Sequence, residues 1–216
     1  MPLIYDKSLG QNTRILVWES IEDYTFFTNS LQLSSSEISE LNLLRPHRKS
    51  EWLTSRYLCQ LLDNKKLRRE IIKDKHNKPY IQDSKKQISI SHSKNRVAVI
   101  ISNTSVGMDI QSHENKICRI RHKFISQEEH LKIDSAHQEE SYHIFWGAKE
   151  CMYKAYGLRE IDFKEHMHLY PFQYYMPQLE IKGWLRKNNI KQDYDIYVDK
   201  IDDYYLVYSI LNNEAV

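Results

Sequence analysis

Glycine, proline and cysteine are all scarce here, at five, five and three in 216 residues, and each scarcity excludes something. Cys59, Cys118 and Cys151 are odd in number and share no metal-ligand spacing, which argues against a disulfide framework and a cysteine zinc site. Cys151 stands beside a candidate acid, yet no adjacent group would activate it as a nucleophile. No Pro-, Gly- or Ser-rich stretch divides the halves and no strict repeat is evident, so two subdomains, if present, join without a spacer. No apolar run approaches the roughly 18 residues of a membrane span. The start, Met1-Pro2-Leu3-Ile4-Tyr5-Asp6-Lys7, lacks the charged-then-apolar pattern of a signal peptide, so the expected location is the cytoplasm. Charge of one sign is missing too. Thirty-one Lys and Arg against 29 Asp and Glu leave a formal +2, which gives no footprint for nucleic acid and makes any basic site local.

What is present is a globular composition, 41% hydrophobic and 28% charged, with fifteen tyrosines. The length suits one large domain or two of about 100 residues. Arg14 to Glu19 reads as a short strand, and Glu22 to Leu31 and Ser35 to Leu44 have helical spacing, the second with Ser34, Ser35 or Ser36 as candidate cap. From Pro46 to Leu62, Trp52, Leu53, Tyr57, Leu58, Leu61 and Leu62 recur at helical intervals behind a first-turn proline. Gln87 to Ser93 alternates, with Ile88, Ile90 and His92 on one side and Ser89, Ser91 and Ser93 on the other. Turning at Lys94-Asn95-Arg96, it forms a hairpin with Val97 to Ser102. Val106 to Ile110 is a further strand. A long helix spans about 136–156 and ends at Gly157 as a left-handed cap. The last 45 residues return to β character, with Asp195 to Ile201 and Tyr204 to Leu211 paired across Asp202-Asp203.

Two segments carry chemistry. In Val106-Gly107-Met108-Asp109-Ile110-Gln111, Asp109 and Gln111 share a strand face, and a carboxylate with an amide oxygen suits a hard cation such as Mg²⁺. Taken alone, the simpler reading is a strand end with two solvated polar groups. In Phe145 to Gly157, Trp146, Glu150 and Lys154 are four apart and share a helix face. A carboxylate one turn from an ammonium meets the needs of phosphoryl transfer, where charge on the transferring and leaving oxygens must be offset; taken alone, the simpler reading is an ordinary surface pair. His92, in Ile90-Ser91-His92-Ser93, and Lys78, in Asn77-Lys78-Pro79, are further phosphate donors in principle, although each is more often structural. His113, His122, His130, His137, His143, His166 and His168 show no ligand spacing.

In order, Asn77-Lys78-Pro79, Ile90-Ser91-His92-Ser93, Val106 to Ile110 and the W-x-x-K-E-x-x-x-K-x-x-G run from Trp146 to Gly157 resemble the 4′-phosphopantetheinyl transferase superfamily, surfactin-synthetase-activating type. The resemblance covers about 46–157. It implies an α+β fold of two similar α/β subdomains related by pseudo-two-fold symmetry, 1–104 and 105–216, with coenzyme A and Mg²⁺ at their interface. Asp109 and Glu150 carry over as metal ligands, with Gln111 as a third. Glu150 also helps deprotonate the carrier serine, and Lys154 contacts the pyrophosphate. Lys78, Ser91, His92, Arg56 and Arg48 match the positions holding the adenosine and 3′-phosphate end. Glu129, after Phe124-Ile125-Ser126, fits the family's acid near the carrier-facing helix.

The implied activity is Mg²⁺-dependent transfer of 4′-phosphopantetheine from coenzyme A to a serine of an apo acyl or peptidyl carrier protein, by a chain acting as a monomer. Two departures stand out. Gln111 replaces an acid common in the family, which predicts weaker Mg²⁺ affinity, and Asn77 replaces a glycine, a mild change because Asn tolerates left-handed backbone. The alternatives are a non-catalytic module that binds coenzyme A or a carrier protein through a degraded metal site, and an unrelated Mg²⁺-dependent nucleotide hydrolase.

Overall fold

The computed structural model describes residues 2–21 and 24–212, which fall into two units, Met1–Asn103 and Thr104–Val216. Among the described residues there are six α-helices and three antiparallel sheets, an α+β fold. No helix is long and apolar enough to cross a membrane.

The first unit begins with strands β1 (Leu3–Leu9) and β2 (Thr13–Glu19) and helices α1 (Tyr24–Ser30), α2 (Ser35–Leu43) and α3 (Pro46–Asp63). Strands β3 (Ile71–Lys73), β4 (Pro79–Ile81), β5 (Gln87–Ser93) and β6 (Arg96–Ser102) follow, and the main sheet has the order β1-β2-β6-β5. Ser34 caps α2 in a reciprocal box with Glu37, and Glu22 of the expected first helix lies outside the described residues. Pro46 opens α3, where its missing N–H costs nothing. Leu53 and Leu58 of α3 meet Leu16, Val97 and Val99 of the sheet in one apolar core. The β5–β6 turn places Lys94 at a positive φ of 53°. Strand β1, an edge with half-exposed residues, has too little alternation to be read from sequence.

The second unit contains β7 (Val106–Ser112), α4 (Ile117–Ile120), α5 (Gln127–Leu131), α6 (Gln138–Tyr156), β8 (Met167–Leu169), β9 (Gln178–Lys187), β10 (Ile190–Ile201) and β11 (Tyr204–Leu211). Its sheet order is β7-β11-β10-β9-β8. The first strand of the unit therefore pairs with the last, a long-range pairing that sequence order does not announce. Helix α6 ends at Gly157 with φ 74°. It packs Phe145, Ala148, Cys151 and Met152 against Ile196, Val198, Tyr205 and Val207. The β10–β11 turn runs through Asp202 at φ 52°.

Candidate active site

Two glycines decide how closely α6 lies on β7. A side chain on Gly107 would put its Cβ 1.8 Å from the Cys151 carbonyl oxygen, and one on Gly147 would meet Val207 at 2.6 Å and Gln111 Nε2 at 2.9 Å. Only bare backbone fits at either position. This approach brings the candidate residues of the two segments together.

Lys154 Nζ donates to Asp109 Oδ1 at 2.8 Å and to the Met108 carbonyl at 2.9 Å. Burial would lower the Lys154 ammonium, but Asp109, Cys151 and Glu150 outweigh it and raise it, so the group is firmly cationic. The Glu150 carboxyl is pushed up, chiefly by burial and further by the charge of Asp109, with Lys154 opposing. Two carboxylates thus share a partly dry site with one ammonium, a set with room for added positive charge. Asp109 and Glu150 supply oxygen only, which fits a hard cation such as Mg²⁺. Cys151 is buried, its thiol pushed up by burial and donating to the Val207 carbonyl at 2.9 Å, so it is no nucleophile.

Gln111 does face α6, as strand alternation requires, but its amide is occupied. Nε2 donates to the His143 carbonyl at 3.0 Å and Oε1 lies 2.9 Å from His143 Nδ1. His143 Nε2 accepts from the Glu114 N–H at 3.1 Å, so the ring proton is on Nδ1 and points at Gln111. Burial, with His113 alongside, pushes this imidazole down to about 4, leaving it neutral. The structure thus joins Gln111 to His143 and leaves Asp109 with Lys154.

Glu129, which fits the family's acid near the carrier-facing helix, is enclosed within its unit. It is 1% exposed. Oε2 accepts from Lys149 Nζ at 2.7 Å and from the Ser126 N–H at 2.9 Å, and Oε1 accepts from the Leu169 N–H at 3.0 Å. Lys149 also donates to the Phe124 and Phe163 carbonyls. A carboxylate so enclosed has no access to a serine proton; its work is to join α5, α6 and β8.

In the first unit, a pocket of about 260 Å³ is lined by Glu40, Arg48, Glu51, Trp52, Arg56 and His92, among others. The Arg56 guanidinium lies 3.7 Å over the Trp52 ring. Burial lowers Arg56, with Glu40 opposing, and both its Nε and Trp52 Nε1 are buried without a hydrogen-bond partner among the described residues. Arg48 bonds Glu51 at 2.7 Å and His92 Nε2 at 2.9 Å. Ser91, one residue along β5 from His92, is buried on the opposite strand face and does not line this pocket. Neither does Lys78, in the β3–β4 turn, where Asn77 has φ 68° and the Lys78 N–H donates to Asp74. Sequence reasoning missed Trp52 and Glu40 as pocket residues; the four-residue spacing from Trp52 to Arg56 was the available signal. A larger hollow of about 570 Å³, near Tyr170, Phe172, Lys182 and Asp195 in the second unit, holds none of the candidate residues.

Residues 105–198 match the sequence model of the 4′-phosphopantetheinyl transferase superfamily. The matched stretch includes β7 and α6, and with them Asp109, Glu150 and Lys154. The match points to phosphopantetheine transfer. No curated protein matches the chain.

Proposed function

We propose that the chain transfers the 4′-phosphopantetheine arm of coenzyme A to a serine of an apo acyl or peptidyl carrier protein, releasing adenosine 3′,5′-bisphosphate. One observation carries the reading. Asp109, Glu150 and Lys154 converge on β7 and α6 inside the stretch that matches the superfamily. The order of Asn77-Lys78-Pro79, Ser91-His92, Asp109 and the Trp146 to Gly157 run supports the surfactin-synthetase-activating type, of holo-[acyl-carrier-protein] synthase chemistry.

In this reading the serine oxygen attacks the β-phosphorus of coenzyme A. The bond from that phosphorus to the bridging oxygen breaks, and the bridging oxygen leaves on the adenosine bisphosphate. Glu150, the second carboxylate of the site, takes the serine proton. Mg²⁺ held by Asp109 and Glu150 would polarise the pyrophosphate and stabilise the leaving oxygen. Lys154 adds its charge to the same oxygens. The pocket with Arg56, Arg48 and His92 is assigned to the adenosine and 3′-phosphate end, which brings an anion to a guanidinium whose buried Nε has no partner among the described residues. Lys78 and Ser91 are assigned to the same end from the motif order alone.

The test is incubation of the purified chain with coenzyme A, Mg²⁺ and a panel of apo carrier proteins, read by intact mass. The expected result is a carrier gain of about 340 Da, the transferred group in a metal-assisted displacement, that stops with chelator. Glu150→Ala should lower turnover roughly a hundredfold or more; near-normal transfer by that variant would refute its role. A second reading, a binding module without catalysis, is favoured by the engagement of Gln111 with His143. Coenzyme A binding without turnover on any carrier would select it.

A further inference from the structure

Beyond Asp109 along β7, three side chains distant in sequence converge on a separate spot. His113 follows the strand, and Glu139 and His143 stand one turn apart on the first half of α6. Their donor atoms all lie within 4.8 Å of one another. His113 Nε2 is 3.4 Å from Glu139 Oε1. Donors on a tetrahedral ion with bonds of roughly 2.0–2.2 Å stand roughly 3.4 Å apart. Glu139 Oε1 is closed off from solvent and makes no hydrogen bond with the described residues.

One nitrogen of each ring is held by a side chain. His143 Nδ1 is bonded to Gln111 Oε1 at 2.9 Å. His113 Nδ1 approaches the Tyr205 hydroxyl at 3.4 Å, and that hydroxyl is hydrogen-bonded to Tyr174. The His113 and His143 rings lie 4.9 Å apart, and His143 stacks on Tyr205 at 5.1 Å. A polar partner on one ring nitrogen is the arrangement of metal-ligating histidines, and His143 Nε2 accepts from the Glu114 N–H at 3.1 Å in the absence of an ion.

We propose that His113 Nε2, Glu139 Oε1 and His143 Nε2 form a second cation site, for a borderline transition-metal ion such as Zn²⁺, distinct from the oxygen-only centre at Asp109 and Glu150. Two imidazoles and one carboxylate select such an ion over Mg²⁺, which takes oxygen donors. The Glu114 N–H releases His143 Nε2 when the ion binds. The bound ion ties the end of β7 to α6 and so braces Gln111 between them. The inference does not rest on the transferase reading.

The test uses the untagged full chain, stripped with chelator, saturated with Mg²⁺ and titrated with Co²⁺ as the spectroscopic stand-in for zinc. The expected result is visible absorption of a four- or five-coordinate ion at one equivalent per chain, abolished by one equivalent of Zn²⁺. His113→Ala and Glu139→Gln change side chains about one-third exposed, so both should fold, with circular dichroism as the check. Each should weaken Co²⁺ binding by more than about tenfold, the loss that removing even an outer partner produces. A Co²⁺ spectrum identical to the aqueous ion in the unaltered chain would overturn the proposal whatever the variants do. So would equal affinity in the unaltered chain and both variants.

Discussion

Glu37 in the first unit and Glu129 in the second occupy the same local position. Each is the third residue of a helix opened by a serine cap, each returns its carboxylate to the cap N–H, and each is almost wholly buried. Each also meets a cation from elsewhere in its unit. Arg68 grips Glu37 with two bonds of 2.6 and 2.5 Å, and Lys149 holds Glu129 at 2.7 Å. The capping pattern S-x-x-E therefore tells a structural acid from a functional one when burial is added. Glu129 belongs with Glu37, whereas Glu150, the residue after Lys149 within α6, has its carboxyl pushed up and no capping duty.

The two buried pairs should fail unequally. Lys149→Met leaves a 0% exposed carboxylate without its ammonium, and the expected cost is about 3–5 kcal/mol, the range for breaking a buried pair. Lys149→Met with Glu129→Leu should recover most of it, because two apolar groups replace both charges. Denaturant melts of the three proteins check this; a double variant no better than the single would remove the pair from the explanation. Arg68→Met should cost less, about 2 kcal/mol for a lost charged hydrogen-bonded partner. Its neighbours Asn64, Lys65, Lys66 and Leu67 are exposed, so water can reach Glu37 once the guanidinium is gone. Equal losses for Lys149→Met and Arg68→Met would show that enclosure does not set the difference.

The caps themselves should matter least and alike. Ser34→Ala and Ser126→Ala each remove a side-chain acceptor at 3.2 Å from the backbone N–H of Glu37 or Glu129. Each should lower stability by about 1 kcal/mol. A far larger loss at Ser126 would mean that the short α5 depends on its cap more than on Lys149.

Much of this arrangement was legible as pattern and little of it as partnership. Pro46 and Gly157 marked one end each of α3 and α6 because a fixed φ and a left-handed φ are local requirements. The alternation of 87–93 and the Asp202-Asp203 turn marked two hairpins for the same reason. Asp109 and Lys154 could each be singled out because short motifs place each on one face of its own element, but their ion pair was not legible. Which helix residue stands opposite Gln111 depends on the register of α6 over β7, set by Gly107 and Gly147, and so His143 was hidden. The meeting of His113 with Glu139 was hidden likewise. The parting of Ser91 from His92, by contrast, was legible, because strand alternation puts neighbours on opposite faces. Strand β9 alternates plainly, with Ile181, Gly183 and Leu185 inward and Glu180 and Lys182 outward, but a glycine in its middle weakens the pattern.

The contrast between Glu129 and Glu150 gives the subtlest expected effect. Because the Glu150 carboxyl is raised above its ordinary 4.5, the folded chain keeps a proton in a pH window where the unfolded chain has released it. Stability contributed by this group therefore falls as pH rises through that window, and the deficit persists above it. Without metal, Glu150→Gln should melt slightly higher than the unaltered chain at pH 7.5, and the advantage should vanish near pH 4. Added Mg²⁺ should raise the melting point of the unaltered chain and leave that of Glu150→Gln nearly fixed, since ligand linkage requires binding. Scanning both proteins at the two pH values, with and without Mg²⁺, separates the cases. A variant that melts lower at pH 7.5 in chelator would mean that Glu150 is already satisfied in the folded chain, as Glu129 is, and would remove the reason for expecting a cation there.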